Sequence, residues 1–342
     1  MKTRLRLTLA ALGAVAAAQV AAQEVTLKVA YFLPASSFAN TLFITPWCER
    51  IAKESNNKMK CQMYPSMQLG GTPPQLYDQV RDGVADVVWT LPGYTAGRFP
   101  AVEVFELPFM MNNAESTSKA VWDYVGQYAA DEFKDVKPLA FHVHGPGVFH
   151  MTKKPVKTTA DLKGLKIRAP TRQTNKFLAL LGATPVGMPV PQVGDALSKG
   201  VIDGAVVPYE VVPAVKIQEL VKFHSETDPA QPAFYTSAFI FAMNKAKYDS
   251  LPPELKKVID ANSGQAVSGM AGKAFLQADG EGKKLTTKNT TNVIPAAELV
   301  QWKALGDKLA AEWVTEMNGK GLPGQKMLDD ARALIAKHAA GK

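Results

Sequence analysis

The chain has 342 residues, 46% of them hydrophobic and 20% charged, with a formal net charge of +8 and two cysteines. That length suits two lobes better than one core. The basic residues are scattered with no block of like charge, which argues against a nucleic-acid surface, and two cysteines are too few for a disulfide-rich scaffold.

Lys2, Arg4 and Arg6 precede an apolar run from Leu7 to Ala18 and the small-residue stretch Val20-Ala21-Ala22. This is the pattern of a secretory signal peptide over residues 1–22, too short and small-sided for a membrane anchor. It predicts a mature chain from about Gln23, located in the periplasm. No cysteine follows the apolar core, so no lipid attachment is expected.

Strands and helices then alternate. Val25–Tyr31 reads as a strand, Asn40–Glu54 as a helix, Met59–Tyr64 as a strand, Pro74–Asp82 as a helix and Ala85–Trp89 as a strand. This is the α/β rhythm of parallel sheets covered by helices on both faces. Cys48 falls in the first helix and Cys61 in the following strand. In an oxidising compartment, with no CxxC and no histidine nearby, a structural disulfide is expected.

The pattern restarts after Val136, with Leu139–Val143, Lys166–Arg168 and Ala205–Val207 as strands. Gly83-Val84-Ala85-Asp86 is echoed by Gly200-Val201-Ile202-Asp203, each after an amphipathic helix and before a strand. Each strand runs into a turn, Leu91-Pro92-Gly93-Tyr94 or Val207-Pro208-Tyr209. Two similar lobes with strand ends facing one cleft would bring both turns to a ligand.

Between these repeats, Leu165, Ile167 and Ala169 alternate with Lys166 and Arg168, the period of a half-buried strand. Pro170 stops it, and Thr171 can cap a helix from Arg172 to Leu181. A guanidinium at a strand's carboxyl end, facing a free helix N-terminus, makes an anion receptor. The C-terminal third is helical. Pro253–Thr287 is long enough to bridge two lobes, and Ala297–Asn318 places Trp302, Leu305, Leu309 and Trp313 on one stripe as packing anchors.

Six words in this order resemble the DctP family, the extracytoplasmic solute-binding proteins of TRAP transporters. They are Tyr64-Pro65-Ser66-Met67-Gln68-Leu69-Gly70-Gly71, Asp82-Gly83-Val84-Ala85-Asp86, Glu106-Leu107-Pro108-Phe109, Lys163-Gly164-Leu165-Lys166-Ile167-Arg168, Ile202-Asp203-Gly204, and Met243-Asn244 with Leu251-Pro252. The resemblance implies an α/β, two-lobed periplasmic-binding-protein-like fold with crossing strands and a long bridging helix. One lobe would comprise residues 23–144 plus about 234–272, the other about 145–233 plus 273–342. It also implies capture of a small organic acid without catalysis, Arg168 forming a bidentate pair with its carboxylate, and delivery to the small and large TRAP membrane subunits.

The chain departs from the family's dicarboxylate and sialic-acid branches. Their second arginine, on the crossing strand, has no counterpart, since Lys137 and Lys153 bracket a stretch without Arg or Lys. A second carboxylate would be buried unpaired, which is prohibitive. Polar positions of the sialic-acid branch fall on Gly71, Leu91 and Val207, and an aromatic one on Val190. With Phe32, Phe38, Trp89, Phe149, Tyr209, Phe234 and Tyr235 assigned to the cleft, the expected ligand is a monocarboxylate with an aromatic or hydrophobic body. The predicted contacts are Arg168, Phe32, Trp89, Leu91, His144, Phe149, Thr171, Val207, Tyr209 and Phe234.

His142, His144, His150 and His224 lack a cysteine or acidic residue at ligand spacing, so neither metal nor cofactor is expected. His144 or His150 is instead a candidate hydrogen-bond partner for a ligand oxygen. Three other readings stand beside this one: a C4-dicarboxylate or sugar acid in the same fold, a sensor-coupled receptor, and a secreted hydrolase or lyase using His144 with Asp203. The last lacks a G-x-S-x-G elbow, an H-E-x-x-H run or paired carboxylates.

Overall fold

A computed structural model describes residues 24–341; the signal-peptide assignment to residues 1–22 lies outside them. Eleven strands are present among the described residues: β1 (Val25–Tyr31), β2 (Met59–Tyr64), β3 (Val87–Thr90), β4 (Val136–Val143), β5 (Val148–Met151), β6 (Lys166–Ala169), β7 (Thr184–Gly187), β8 (Gly204–Val207), β9 (Phe223–Glu226), β10 (Ala238–Asn244) and β11 (Thr290–Val293). The α-helices are α1 (Thr45–Glu54), α2 (Leu76–Arg81), α3 (Ala114–Tyr124), α4 (Arg172–Leu180), α5 (Val193–Ser198), α6 (Lys245–Asp249), α7 (Pro253–Ala261), α8 (Gln265–Lys284), α9 (Ala296–Gly319) and α10 (Gly324–Ala339).

The strands form two sheets, in the orders β2-β1-β3-β10-β4 and β11-β9-β5-β8-β6-β7. They are mixed rather than wholly parallel, and the chain changes sheet three times, the last time between β10 and β11. β4 leads through residues 144–147 into β5, and β9 leads back into β10. The returning strand β10 runs antiparallel to β3 and β4, and β5 runs antiparallel to β8 and β9. The crossings are tied together: the Gly147 amide donates to the Tyr235 carbonyl (3.1 Å) and the Thr236 hydroxyl to the His144 carbonyl (2.9 Å). Gly147 is required there, because a Cβ would stand 2.0 Å from the Tyr235 ring.

The sequence echo is a structural repeat. Gly83 and Gly200 both adopt positive φ (78° and 67°) after α2 and α5, a conformation glycine enters without steric cost. The aspartate three residues on then staples a neighbouring strand. Asp86 accepts the Lys28 amide (2.8 Å) while its own amide donates to the Lys28 carbonyl (2.9 Å). Asp203 does the same with Lys166 (2.9 and 2.8 Å). Both aspartates therefore fix β1–β3 and β6–β8 at their amino ends, so the carboxyl ends present Trp89, Leu91, Arg168 and Val207 to the space between the sheets.

The helical C-terminal third differs from expectation in three respects. Pro253–Thr287 is not continuous: α7 ends near Asn262, and Gly264 at φ 98° redirects the chain into α8. Bridging is shared by two helices. α8 packs on α3 and β4 and also on the turn Tyr209–Val211. α9 begins beside the second sheet, where Glu298 accepts the Thr159 amide (2.9 Å), and ends at the first, where the Trp313 indole N–H donates to the Pro100 carbonyl (2.9 Å). α10 then returns to α3 beside the first sheet, where His338 meets Asp123 (2.8 Å), instead of staying with the second.

Cys48 of α1 and Cys61 of β2 form a disulfide across 13 residues of chain. Closing so short a loop stabilises by roughly 3 kcal/mol through the unfolded state. Reduction, or Cys48→Ala with Cys61→Ala, is expected to lower the melting temperature by several degrees without changing ligand affinity, measured by calorimetry with and without a phosphine reductant. An unaltered melting temperature would show that the bond contributes nothing to stability.

Candidate functional site

The space between the sheets contains a cavity of about 330 Å3, including its mouth, lined by sixteen residues. One wall is aromatic. Phe32 stacks on Trp89 at 4.9 Å between centroids, and Trp89 stacks on Phe239 at 4.8 Å. The Trp89 indole donates to His142 Nε2 (2.8 Å), whose Nδ1–H points to the Val143 carbonyl (3.2 Å). Burial pushes the His142 pKa down to about 3, so its ring is neutral and can accept the indole proton.

Arg168 supplies the only Arg or Lys side chain among the lining residues and is 2% exposed. Its Nε donates to the Met188 carbonyl (2.9 Å) and Nη1 to the Val206 carbonyl (3.1 Å), while Nη2 has no partner among the described residues. Burial lowers its pKa from the ordinary value, yet a guanidinium keeps its proton in proteins. The Tyr94 and Tyr235 rings stand beside it, and the Tyr94 hydroxyl oxygen is held by the Val190 amide (3.1 Å). The hydroxyl proton of Tyr94 is thereby left to point elsewhere. Chemically, such an arrangement, a buried cation with one unpartnered nitrogen flanked by phenols, can receive one carboxylate.

His144 also lines the cavity. Its Nδ1 lies 2.6 Å from the Gly145 carbonyl and therefore carries the proton, which leaves Nε2 as an acceptor. Burial first, then the Arg168 charge, pulls its pKa down to about 4, so it is neutral near pH 7.

The cavity unites Phe32, Trp89, Leu91, His144, Arg168 and Val207 from the predicted contacts, together with Val190 and Tyr235. Four predicted contacts, Phe149, Phe234, Tyr209 and Thr171, are elsewhere. Phe149 and Phe234 stack on each other at 4.8 Å against Trp302, a core cluster behind the wall. Tyr209 packs edge-on against His150 and His224. Phe38 is not among the lining residues either.

Thr171 begins α4 but makes no backbone cap; its hydroxyl meets that of Thr174 (3.2 Å) and approaches Glu106. The first side chains of α4 are engaged by the protein's own carboxylates. Arg172 pairs with Glu103 and with Glu316 of α9 (2.8 Å), and the Gln173 amide donates to Glu103 (2.7 Å). The anion receptor predicted from Arg168 plus a free helix end is therefore split: Arg168 faces the cavity, and the helix end joins the lobes.

The remaining histidines serve the framework. His150 Nε2 donates to the Val207 carbonyl (3.1 Å), and its Nδ1 meets His224 Nδ1 (2.7 Å), which braces β8 from behind. Asp203 is occupied with the Lys166 backbone and is absent from the cavity wall, so the His144–Asp203 pairing imagined for a hydrolase does not form. Sequence reasoning missed Glu210, Ser237 and Phe239 on the wall. For Glu210 a signal existed, a lone acid inside the apolar run Val207–Pro213.

A family model described as bacterial extracellular solute-binding protein, family 7 (DctP), matches residues 30–316. A TRAP solute-binding protein from Rhodoferax ferrireducens T118, solved with copurified benzoate, is 54% identical, with a TM-score of 0.91 over 92% of this chain and 99% of that one. A marine metagenome TRAP protein specific for aromatic acids, solved with 3-hydroxybenzoate, is 48% identical, with a TM-score of 0.90 and the same coverage. A Bordetella bronchiseptica TRAP periplasmic protein holding (R)- and (S)-mandelate is 28% identical, with a TM-score of 0.84, again over 92% and 99% of the two chains.

Glu106 offers a pH test of the lobe contact. It accepts the Ala238 amide (3.2 Å), and burial, with Glu103 nearby, pushes its pKa to about 8. A pKa raised on folding contributes stability that is complete below the unfolded value near 4.5 and lost as pH rises through about 8. Glu106→Gln fixes the neutral form, so its melting temperature is expected to gain on the wild type by several degrees between about pH 5 and pH 8.5. A constant difference would mean that Glu106 is ionised in the fold.

Proposed function

Because the chain belongs to family 7 of the bacterial extracellular solute-binding proteins, we propose that it captures an aromatic monocarboxylate between its lobes and delivers it to the membrane subunits of a TRAP transporter. The observation that carries this reading is the buried Arg168 guanidinium, with an unpartnered Nη2 beside a stacked aromatic wall. One carboxylate matches one cation, and the wall offers no second arginine or lysine for another. Export by the leader and release into the periplasm belong to the same proposal, as does the absence of catalysis. The solved relatives holding benzoate, 3-hydroxybenzoate and mandelate support the ligand class.

The energetics separate anchor from body. A charge-assisted hydrogen-bond pair at Arg168 contributes about 1.5–3 kcal/mol. An aromatic ring burying ~100–150 Å2 against Phe32, Trp89 and Phe239 contributes roughly 3 kcal/mol. Neither suffices alone for tight binding, so a small aliphatic acid and a neutral arene should both bind weakly.

Titration with benzoate, followed by intrinsic tryptophan fluorescence, tests the proposal, since Trp89 lies in the wall. Saturable quenching or enhancement and a raised melting temperature are expected. Silence towards benzoate, 3-hydroxybenzoate and mandelate alike would refute the aromatic-acid reading. Arg168→Lys and Arg168→Ala are each expected to weaken benzoate binding at least tenfold, because an ammonium cannot keep both carbonyl bonds and still present a planar fork. Unchanged affinity in either variant would remove Arg168 as the anchor. Leu91→Asp should abolish binding with an unaltered far-ultraviolet dichroism spectrum, whereas Leu91→Met retains it.

A further inference from the structure

Once a carboxylate is assigned to Arg168, the cavity still holds a polar group without a partner. Glu210 follows β8 in the turn Tyr209–Val211, is 2% exposed, and lines the cavity with Val207 and Val211. Its backbone is pinned, since its amide donates to Asp279 of α8 (2.8 Å). Its side chain makes no ion pair with Arg168, although both line the same space, and its Oε2 is buried with no partner. Ser237, across the crossing strands, likewise presents an unpartnered hydroxyl to the cavity.

We propose that Glu210 is a specificity-determining residue that hydrogen-bonds a hydroxyl group on the bound aromatic acid, so that the protein prefers hydroxylated aromatic acids to their plain hydrocarbon analogues. The inference rests on the aromatic-monocarboxylate reading and narrows it. Three physical arguments lead to it. An ionised Glu210 would repel the ligand carboxylate within one small cavity, and burial with Asp279 facing it holds the Glu210 carboxyl well above the usual range, in the neutral form. A neutral carboxyl both donates and accepts, and so does a hydroxyl, which makes the two complementary. A ligand with a bare ring would leave Oε2 buried and unsatisfied, and discrimination of this kind is far stronger than that supplied by shape alone. His144 Nε2, an acceptor, and the Ser237 hydroxyl add further polar groups to the lining of the same cavity.

The test is calorimetric titration of the wild type, Glu210→Gln and Glu210→Met with benzoate, the three monohydroxybenzoates and mandelate. The wild type is expected to bind at least one hydroxylated acid about tenfold or more tighter than benzoate. Glu210→Gln, which keeps a donor and an acceptor, should retain most of that preference. Glu210→Met, similar in volume but apolar, should bring the ratio close to one while benzoate still binds, which also shows that the variant is folded.

If the wild type binds benzoate as tightly as every hydroxylated acid, the inference fails without any variant being needed. It fails equally if Glu210→Met keeps the wild-type preference. In both cases the aromatic-acid reading survives. If none of these acids binds the wild type, that reading falls and takes this inference with it.

Discussion

A guanidinium buried without a counter-ion is the constraint around which the rest of the molecule is arranged. Taking such a charge out of water costs several kcal/mol unless hydrogen bonds replace its hydration. Here two backbone carbonyls, from Met188 and Val206, take two of the donor nitrogens, and the third is left aimed at the cavity. Those carbonyls come from the segments flanking β6, so the sheet itself aims the side chain. A protein carboxylate in the same place would have neutralised the site; its absence leaves a net positive charge where a solute anion is the natural complement.

The two lobes meet through charges that the cavity does not use. Arg172 lies only four residues after Arg168, yet it faces Glu103 and Glu316 and joins α4 to both the first lobe and α9. Glu106 extends this contact towards Thr171 and the returning strand at Ala238. Two arginines on one strand–helix unit thus face different ways, Arg168 to the cavity and Arg172 to the glutamates of the other elements. The protein's own glutamates engage the side chains of the first turn of α4.

Much of this was legible in the sequence where local pattern and long-range structure agree. The strands Val25–Tyr31 and Met59–Tyr64 stand as their alternation implies, the Cys48–Cys61 pair is closed, and Asp86 and Asp203 fill equivalent positions. The alternation of Leu165, Ile167 and Ala169 placed Arg168 near a strand end, where β6 has it. What local pattern does not carry is which face an aromatic residue finally meets. Phe149 and Phe234 are as aromatic as Phe32, but α9 brings Trp302 over them and turns them into core. The antiparallel strand β10 and the strands β5, β7, β9 and β11 are equally silent, because their form depends on pairing with neighbours elsewhere in the chain. Thr171 had the residue type of a cap, but tertiary contacts with Thr174 and Glu106 claimed its hydroxyl.

The bond from the Trp89 indole to the neutral His142 ring has one more consequence. With its N–H tethered and its faces clasped by Phe32 and Phe239, the indole has a single orientation before any solute arrives. The rotamer entropy of the recognition wall is therefore surrendered during folding, and association need not surrender it again.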